Sequence, residues 1–81
     1  MVGKNFVVTA RWDDEALVWY ATSDDVPGLA LEAESMEALV TKVRAAVPEL
    51  LELNGILPTE KPREVAYLHL RAEYQERIAL G

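Results

Sequence analysis

Only one stretch of this sequence carries a helical period. Met36, Leu39, Val40, Val43, Val47, Leu50 and Leu51 recur at steps of three and four, which predicts one amphipathic helix over about residues 36–53. Apolar residues before and after it recur at steps of two, the period of strands. One helix in a chain of 81 residues can cover only one face of whatever sheet the rest builds. The helix also carries its own boundary signals. Ser35 is placed to cap its start, and Glu37 lies in the first turn, facing the positive end of the dipole. Asn54-Gly55 closes it, with Gly55 as the left-handed residue and Ile56 packing back on Leu51. Pro48 lies inside the pattern and clashes with the carbonyl four residues earlier, so a kink or two shorter helices are expected there.

The strand-like segments come in order. Phe6, Val8, Ala10 and Trp12 alternate with Val7, Thr9 and Arg11, giving a strand over roughly residues 5–12. Asp13 to Ala16 breaks it with turn-forming residues, and Leu17 to Thr22 resumes the alternation, so the two runs predict an antiparallel hairpin. Ser23 to Gly28 is the strongest turn signal. Pro27 presets its φ and Gly28 accepts a positive φ, which suits the two central positions of a type II turn. Leu29, Leu31 and Ala33 then point inward while Glu32 and Glu34 point out, a third strand over residues 29–34. After the helix, Leu57 to Pro62 is a loop held by two prolines, and a fourth strand runs from about residue 64 to 72. Glu73 to Leu80 fits either an extension of that strand or a terminal helical turn. The order β-β-β-α-β predicts a single two-layer α+β domain over residues 1–81, with an antiparallel-rich sheet and one helix packed on one face.

Charge separates the two halves. Of fourteen acids, eight lie in residues 1–37 beside only Lys4 and Arg11, while the remaining six acids and six bases cancel. The whole net charge of −6 therefore belongs to the first half, and no Lys or Arg occurs from Trp12 to Val40. Such a surface repels a phosphate backbone, so direct nucleic-acid binding is not expected. It draws in a basic protein instead. The absence of Cys excludes a disulfide scaffold, a thiolate metal site and a thiol nucleophile. No secretion signal or membrane-spanning run is visible, so a cytoplasmic protein is expected.

The chemistry of a typical enzyme is missing. His69, the only histidine, sits between Leu68 and Leu70 as a strand residue, and neither Ser23 nor Ser35 shares its element. Asp13-Asp14-Glu15 and Asp24-Asp25 lack the alternating spacing of a calcium loop and suit turns. No catalytic residue, metal or cofactor is expected, and the chain reads as a non-enzyme. The alternative is a divalent-metal site in which Asp13, Asp24 and Asp25 converge. Four strands and one helix leave two edges and one open face, on which Val18, Tyr20, Thr22 and Tyr67 belong if Trp19 points to the helix. The long last strand is the expected pairing edge of a homodimer or tetramer, and a plain oligomeric domain is a further alternative.

The turn Asp24-Asp25-Val26-Pro27-Gly28-Leu29, the acidic third strand and the helix opening Ser35-Met36-Glu37-Ala38-Leu39 carry a resemblance. Over Trp12 to Gly55 the chain resembles the N-terminal domain of HicB-type antitoxins, and more closely a group of short stand-alone HicB-like domains. The resemblance implies a reduced RNase-H-like α+β fold and a non-enzymatic antitoxin that blocks a small basic mRNA-cleaving toxin of the HicA type. Asp24, Asp25, Glu32 and Glu34 are the expected contacts with that partner, with Pro27, Gly28 and Gly55 shaping the scaffold.

Overall fold

The computed structural model describes residues 4–56 and 66–80. It contains strands β1 (Lys4–Asp13), β2 (Val18–Thr22) and β3 (Ala30–Ala33), helix α1 (Met36–Leu53) and strand β4 (Ala66–Glu73). The expected α+β order is therefore present. The Pro-rich loop after the helix and the first residues of the expected fourth strand lie outside the described residues.

The sheet order is β3-β2-β1-β4. β1 pairs antiparallel with β2 through Thr9↔Thr22 and Asp13↔Val18, and β2 pairs antiparallel with β3 through Trp19↔Ala33 and Thr22↔Ala30. β4 returns on the far side of β1 and runs parallel to it, from Lys4↔Ala66 to Arg11↔Glu73. A parallel neighbour needs a crossover, and α1 belongs to the connection that supplies it.

Register fixes the two faces. Phe6, Val8 and Ala10 of β1, Ala21 of β2 and Ala33 of β3 are buried beneath Leu39, Val43, Val47 and Leu51 of the helix. The small Ala10, Ala21 and Ala33 let α1 approach β2 and β3, against which it packs. β4 gains less cover: Leu68, on the helix side, is still 42% exposed. On the opposite face lie Val7, Thr9 and Arg11, then Val18, Tyr20 and Thr22, with Tyr67 in the row of Asn5, as expected once Trp19 faces the helix.

The helix starts and stops where its signals lie. Ser35 is extended (φ −134°, ψ 157°), and its hydroxyl accepts from the Ala38 N–H at 3.1 Å. At the other end Ile56 N–H donates to Leu51 C=O at 2.9 Å and Gly55 N–H to Glu52 C=O at 3.0 Å, with Gly55 at φ +68°. This pair of bonds is the Schellman cap. Asn54 donates from its side chain to Leu50 C=O at 2.7 Å and to Pro27 C=O at 3.3 Å, tying the helix end to the turn before β3. That turn is type II: Leu29 N–H reaches Val26 C=O at 3.2 Å and Gly28 has φ +85°.

Three expectations are corrected. Of the two outcomes expected at Pro48, the break into two shorter helices does not occur: the helix is one element through Pro48, which is on the exposed side, where water can satisfy the carbonyl its missing N–H leaves free. Leu17 is not in a strand. It closes the hairpin turn at φ +57°, 60% exposed, with its N–H on Asp13 C=O at 2.8 Å, while the Asp13 carboxylate caps Glu15 and Ala16 at 3.0 and 3.1 Å. Residues 74–80 form no helical turn, and the ladder with β1 stops at Glu73, opposite Arg11, just before β1 ends in its own turn.

Candidate functional site

The open face of the sheet is where binding residues collect. One row of side chains crosses all four strands: Glu32 of β3 beside Tyr20 of β2, Tyr20 beside Arg11 of β1, and Arg11 beside Glu73 of β4. Arg11 Nε donates to Glu73 Oε2 at 3.1 Å, an exposed pair. The guanidinium is held above its ordinary range by hydrogen bonding to Tyr20 first and by the Glu73 charge second. It therefore stays a cation and partly neutralises the middle of the row, and Glu32 ends the row with the Lys42 ammonium on its main-chain carbonyl at 2.8 Å.

Two shallow recesses meet on this face. One, of about 420 Å³, follows β2 and β3 and is lined by Asp13, Val18, Tyr20, Thr22, Leu31 and Glu32 among others. The second, of about 380 Å³, continues past the hairpin turn between Trp12, Asp13, Asp14, Glu15, Tyr20, Gln75 and Arg77. Asp13 and Tyr20 belong to both, so the two form one groove. Asp13, Asp14, Glu15 and Glu32 against the single base Arg77 make a channel suited to cationic side chains.

The four expected contact acids do not share this groove. Glu32 lines it. Glu34 follows the end of β3, beyond Ala33, which pairs with Trp19 close to the hairpin turn. Asp24 and Asp25 lie beyond Thr22, at the other end of β2. Asp25 is occupied there. Its Oδ2 accepts from Val7 N–H at 2.7 Å, while Ser23 Oγ donates to Val7 C=O at 2.6 Å and accepts from the N–H groups of Asp25 and Val26 at 3.0 and 3.2 Å. Two side chains thus continue the β1 ladder past the last residue of β2. Asp24 has no hydrogen bond among the described residues and is exposed.

The same geometry separates the carboxylates of the metal alternative. Asp25 is bonded at Val7, and Asp13 lies six residues further along β1, about 20 Å away at strand rise. Among the described residues no three His, Asp or Glu side chains gather as metal ligands. His69 is exposed on the open face, its Nε2 2.9 Å from Asn5 Oδ1.

Sequence reasoning grouped the acids by proximity along the chain and missed Asp13, Asp14, Glu15, Tyr20, Gln75 and Arg77 as groove residues. The hairpin signal did hold the clue, because a turn after Trp12 sets Asp13 beside β2. The aromatic end of the sheet fixes the last two. Tyr74 packs against Trp12 and Trp19 with ring centroids at 6.0 Å from each, and Trp12 lies 5.5 Å from Trp19. Arg77 N–H then reaches the Asp14 carboxylate at 3.5 Å, at the limit of a hydrogen bond.

Residues 5–80 match DUF1902, a domain of unknown function. The chain belongs to the DUF1902 family. A crystal structure of a hypothetical protein from the extremely thermophilic bacterium Thermus thermophilus is similar, with 44% identity over 95% of this chain and 100% of that one and a TM-score of 0.67. No curated protein matches the chain. For this DUF1902 domain, no helix among the described residues is long and apolar enough to cross a membrane.

Proposed function

We propose that this DUF1902 domain is a non-enzymatic binding module of HicB-like, reduced RNase-H-like type, an antitoxin that neutralises a small basic mRNA-cleaving toxin. The observation that carries the reading is the groove around Tyr20, walled by Asp13, Asp14, Glu15 and Glu32 on a sheet face that no helix among the described residues covers. An RNA-cleaving toxin presents basic side chains toward its substrate, and an acid-lined groove can occupy them in place of phosphates. Tyr20 and Val18 supply apolar contact between the charges, the mixture typical of protein recognition.

The geometry revises the expected contacts. Glu32 and Glu34 stay in the proposed interface, joined by Asp13, Asp14 and Glu15, and Asp24 is a peripheral charge. Asp25 serves the scaffold through Val7.

The test is a titration of the purified protein against a purified HicA-type ribonuclease in an RNA-cleavage assay. Stoichiometric protein is expected to stop cleavage, with affinity falling as salt rises. Charge reversal at Glu32 and Asp14 should relieve the inhibition, and reversal at Asp24 should leave it intact. Undiminished cleavage at equimolar protein, or equal effects of all three reversals, would overturn the reading.

A further inference from the structure

Strand β4 does not finish where its ladder does. From residue 67 to 80 the even positions are Leu68, Leu70, Ala72, Tyr74, Glu76, Ile78 and Leu80, all apolar or aromatic except Glu76, whose carboxylate receives the Tyr74 hydroxyl. The odd positions are Tyr67, His69, Arg71, Glu73, Gln75, Arg77 and Ala79. This is the period of a half-buried strand carried for fourteen residues, more than twice the usual length of about 5–6. Residues 74–80 take no turn, bend or helix, and no strand lies beside them among the described residues. Ile78 and Leu80 are 66% and 88% exposed. Among the described residues β4 is also an edge of the sheet, so the side of it away from β1 offers backbone groups with no described strand beside them. The Cα radius of gyration is 15.0 Å, against about 12 Å for a compact chain of this length.

A second copy of this chain supplies the missing strand. A two-fold axis brings an identical segment alongside in antiparallel sense, and the pleat admits only registers that set even positions opposite even and odd opposite odd. Charge narrows these further. An axis at Glu73 or Glu76 sets like carboxylates opposite each other, one at Tyr74 sets Arg71 opposite Arg77, and one at Arg77 sets two guanidinium groups together. An axis at Ala72 matches Arg71 with Glu73 but sets Glu76 against Leu68 on the apolar face. An axis at Gln75 pairs Glu73 with Arg77 twice, places Gln75 on Gln75, aligns Leu70 with Leu80 and Ala72 with Ile78, and sets Glu76 opposite Tyr74, whose hydroxyl can donate to the carboxylate as it does within one chain.

We propose that two copies of this chain join through β4 and residues 74–80, antiparallel about a two-fold axis at Gln75, with Glu73 of each facing Arg77 of the other. The four-stranded sheets become one continuous eight-stranded sheet, and Ile78 and Leu80 leave water for the helix side of the second copy's β4.

Sedimentation of the full chain at tens of micromolar reads the assembly, and circular dichroism confirms that each variant is folded. The wild type is expected to be a dimer. Arg77→Glu alone turns two opposite-charge pairs into like-charge pairs and should raise the dissociation constant about tenfold or more, and adding Glu73→Gln, which removes the repulsion without setting a cation beside Arg11, should recover part of the loss. The chain has no cysteine, so one introduced thiol reports register cleanly. Gln75→Cys sits on the axis and should cross-link to itself with a short bismaleimide, whereas Ala72→Cys should not. A monomeric wild type, a dimer indifferent to Arg77→Glu, no recovery on adding Glu73→Gln, or cross-linking through Ala72 in place of Gln75 would each overturn the proposal. The assembly is measured without any toxin, so its failure leaves the ribonuclease titration to stand or fall alone.

Discussion

Asp24 and Asp25 are adjacent, both exposed and both acidic, yet only one of them holds the fold. Asp25 Oδ2 lies 2.7 Å from the half-buried Val7 amide, a length typical of a charge-assisted bond. Bonds of this kind contribute about 1.5–3 kcal/mol when fully desolvated. Asp25 is exposed, so water recovers part of that when the carboxylate is removed, and Asp25→Ala is expected to cost about 1–2 kcal/mol. In a domain of this size 1 kcal/mol moves the melting temperature by about 4–8 °C, which puts the fall at roughly 4–16 °C. Asp24→Ala removes the same charge from the same loop and should stay within about 0.5 kcal/mol of wild type. Thermal and urea unfolding followed by circular dichroism read both, with an unchanged urea slope showing that the change lies in stability alone. Ser23→Ala breaks the companion bond to Val7 C=O, so the Ser23→Ala/Asp25→Ala pair should be non-additive by about 0.5 kcal/mol or more. Equal melting temperatures for the Asp24 and Asp25 variants would refute the ladder-extension argument.

Other sites give sharper contrasts. A methyl group added at Gly28, where φ is +85°, would meet only Leu50 Cδ2, at an ordinary 3.7 Å, so Gly28→Ala is a pure backbone cost of about 1–2 kcal/mol by chemical denaturation. Leu17 carries the same strain already at φ +57°, and Leu17→Gly should raise stability by up to about 1 kcal/mol in the same assay. Leu39→Ala opens a fully buried position in the first turn of the helix and should cost about 2–5 kcal/mol, whereas Leu53→Ala, at an 82% exposed position, should be near neutral. The Tyr74 phenol is held above the usual tyrosine range, first by its bond to Glu76, then by burial. Because the folded state keeps that proton longer than the unfolded chain does, the contribution is present below pH ~10 and is lost as pH climbs past the raised folded value. Ultraviolet titration should show a late-ionising component that Tyr74→Phe removes.

Local signals in this chain were legible because they are satisfied within a few residues. Ser35, Gly55, Pro27 and Gly28 each close a hydrogen-bonded unit three to five residues long, and all four fall where the sequence sets them. The alternating strands were legible because one face is buried, which ties every side chain to a parity. Leu17 escaped because its neighbours make it look like strand, while the Asp13 carboxylate bonding two amides wins the local contest and curls the chain before the ladder begins. The acidic site escaped for a different reason. Separation along the chain says nothing of which strand end a residue occupies, and Thr22↔Thr9 against Asp13↔Val18 sends Asp24 and Asp13 to opposite ends. The parallel placement of β4 was equally hidden, since nothing local states which edge of the hairpin a returning strand will take.

The groove and the proposed dimer edge share residues, and this couples them. Gln75 and Arg77 line the acid-walled groove, where Arg77 is the single base beside Asp13, Asp14 and Glu15. Pairing about Gln75 turns the Arg77 guanidinium toward Glu73 of the second copy, which strips the groove of its internal counter-charge and deepens its negative potential. Dimerisation then favours a cationic partner, and by reciprocity a bound cationic partner favours the dimer. The coupling is measurable without knowing the natural partner. A short poly-lysine peptide should shift the monomer–dimer equilibrium toward dimer at low salt, and the shift should vanish in Arg77→Gln, whose position 77 has no charge for pairing to withdraw from the groove. A peptide that binds equally to both states and moves the equilibrium in neither chain would uncouple the two surfaces and leave them as independent features of one sheet.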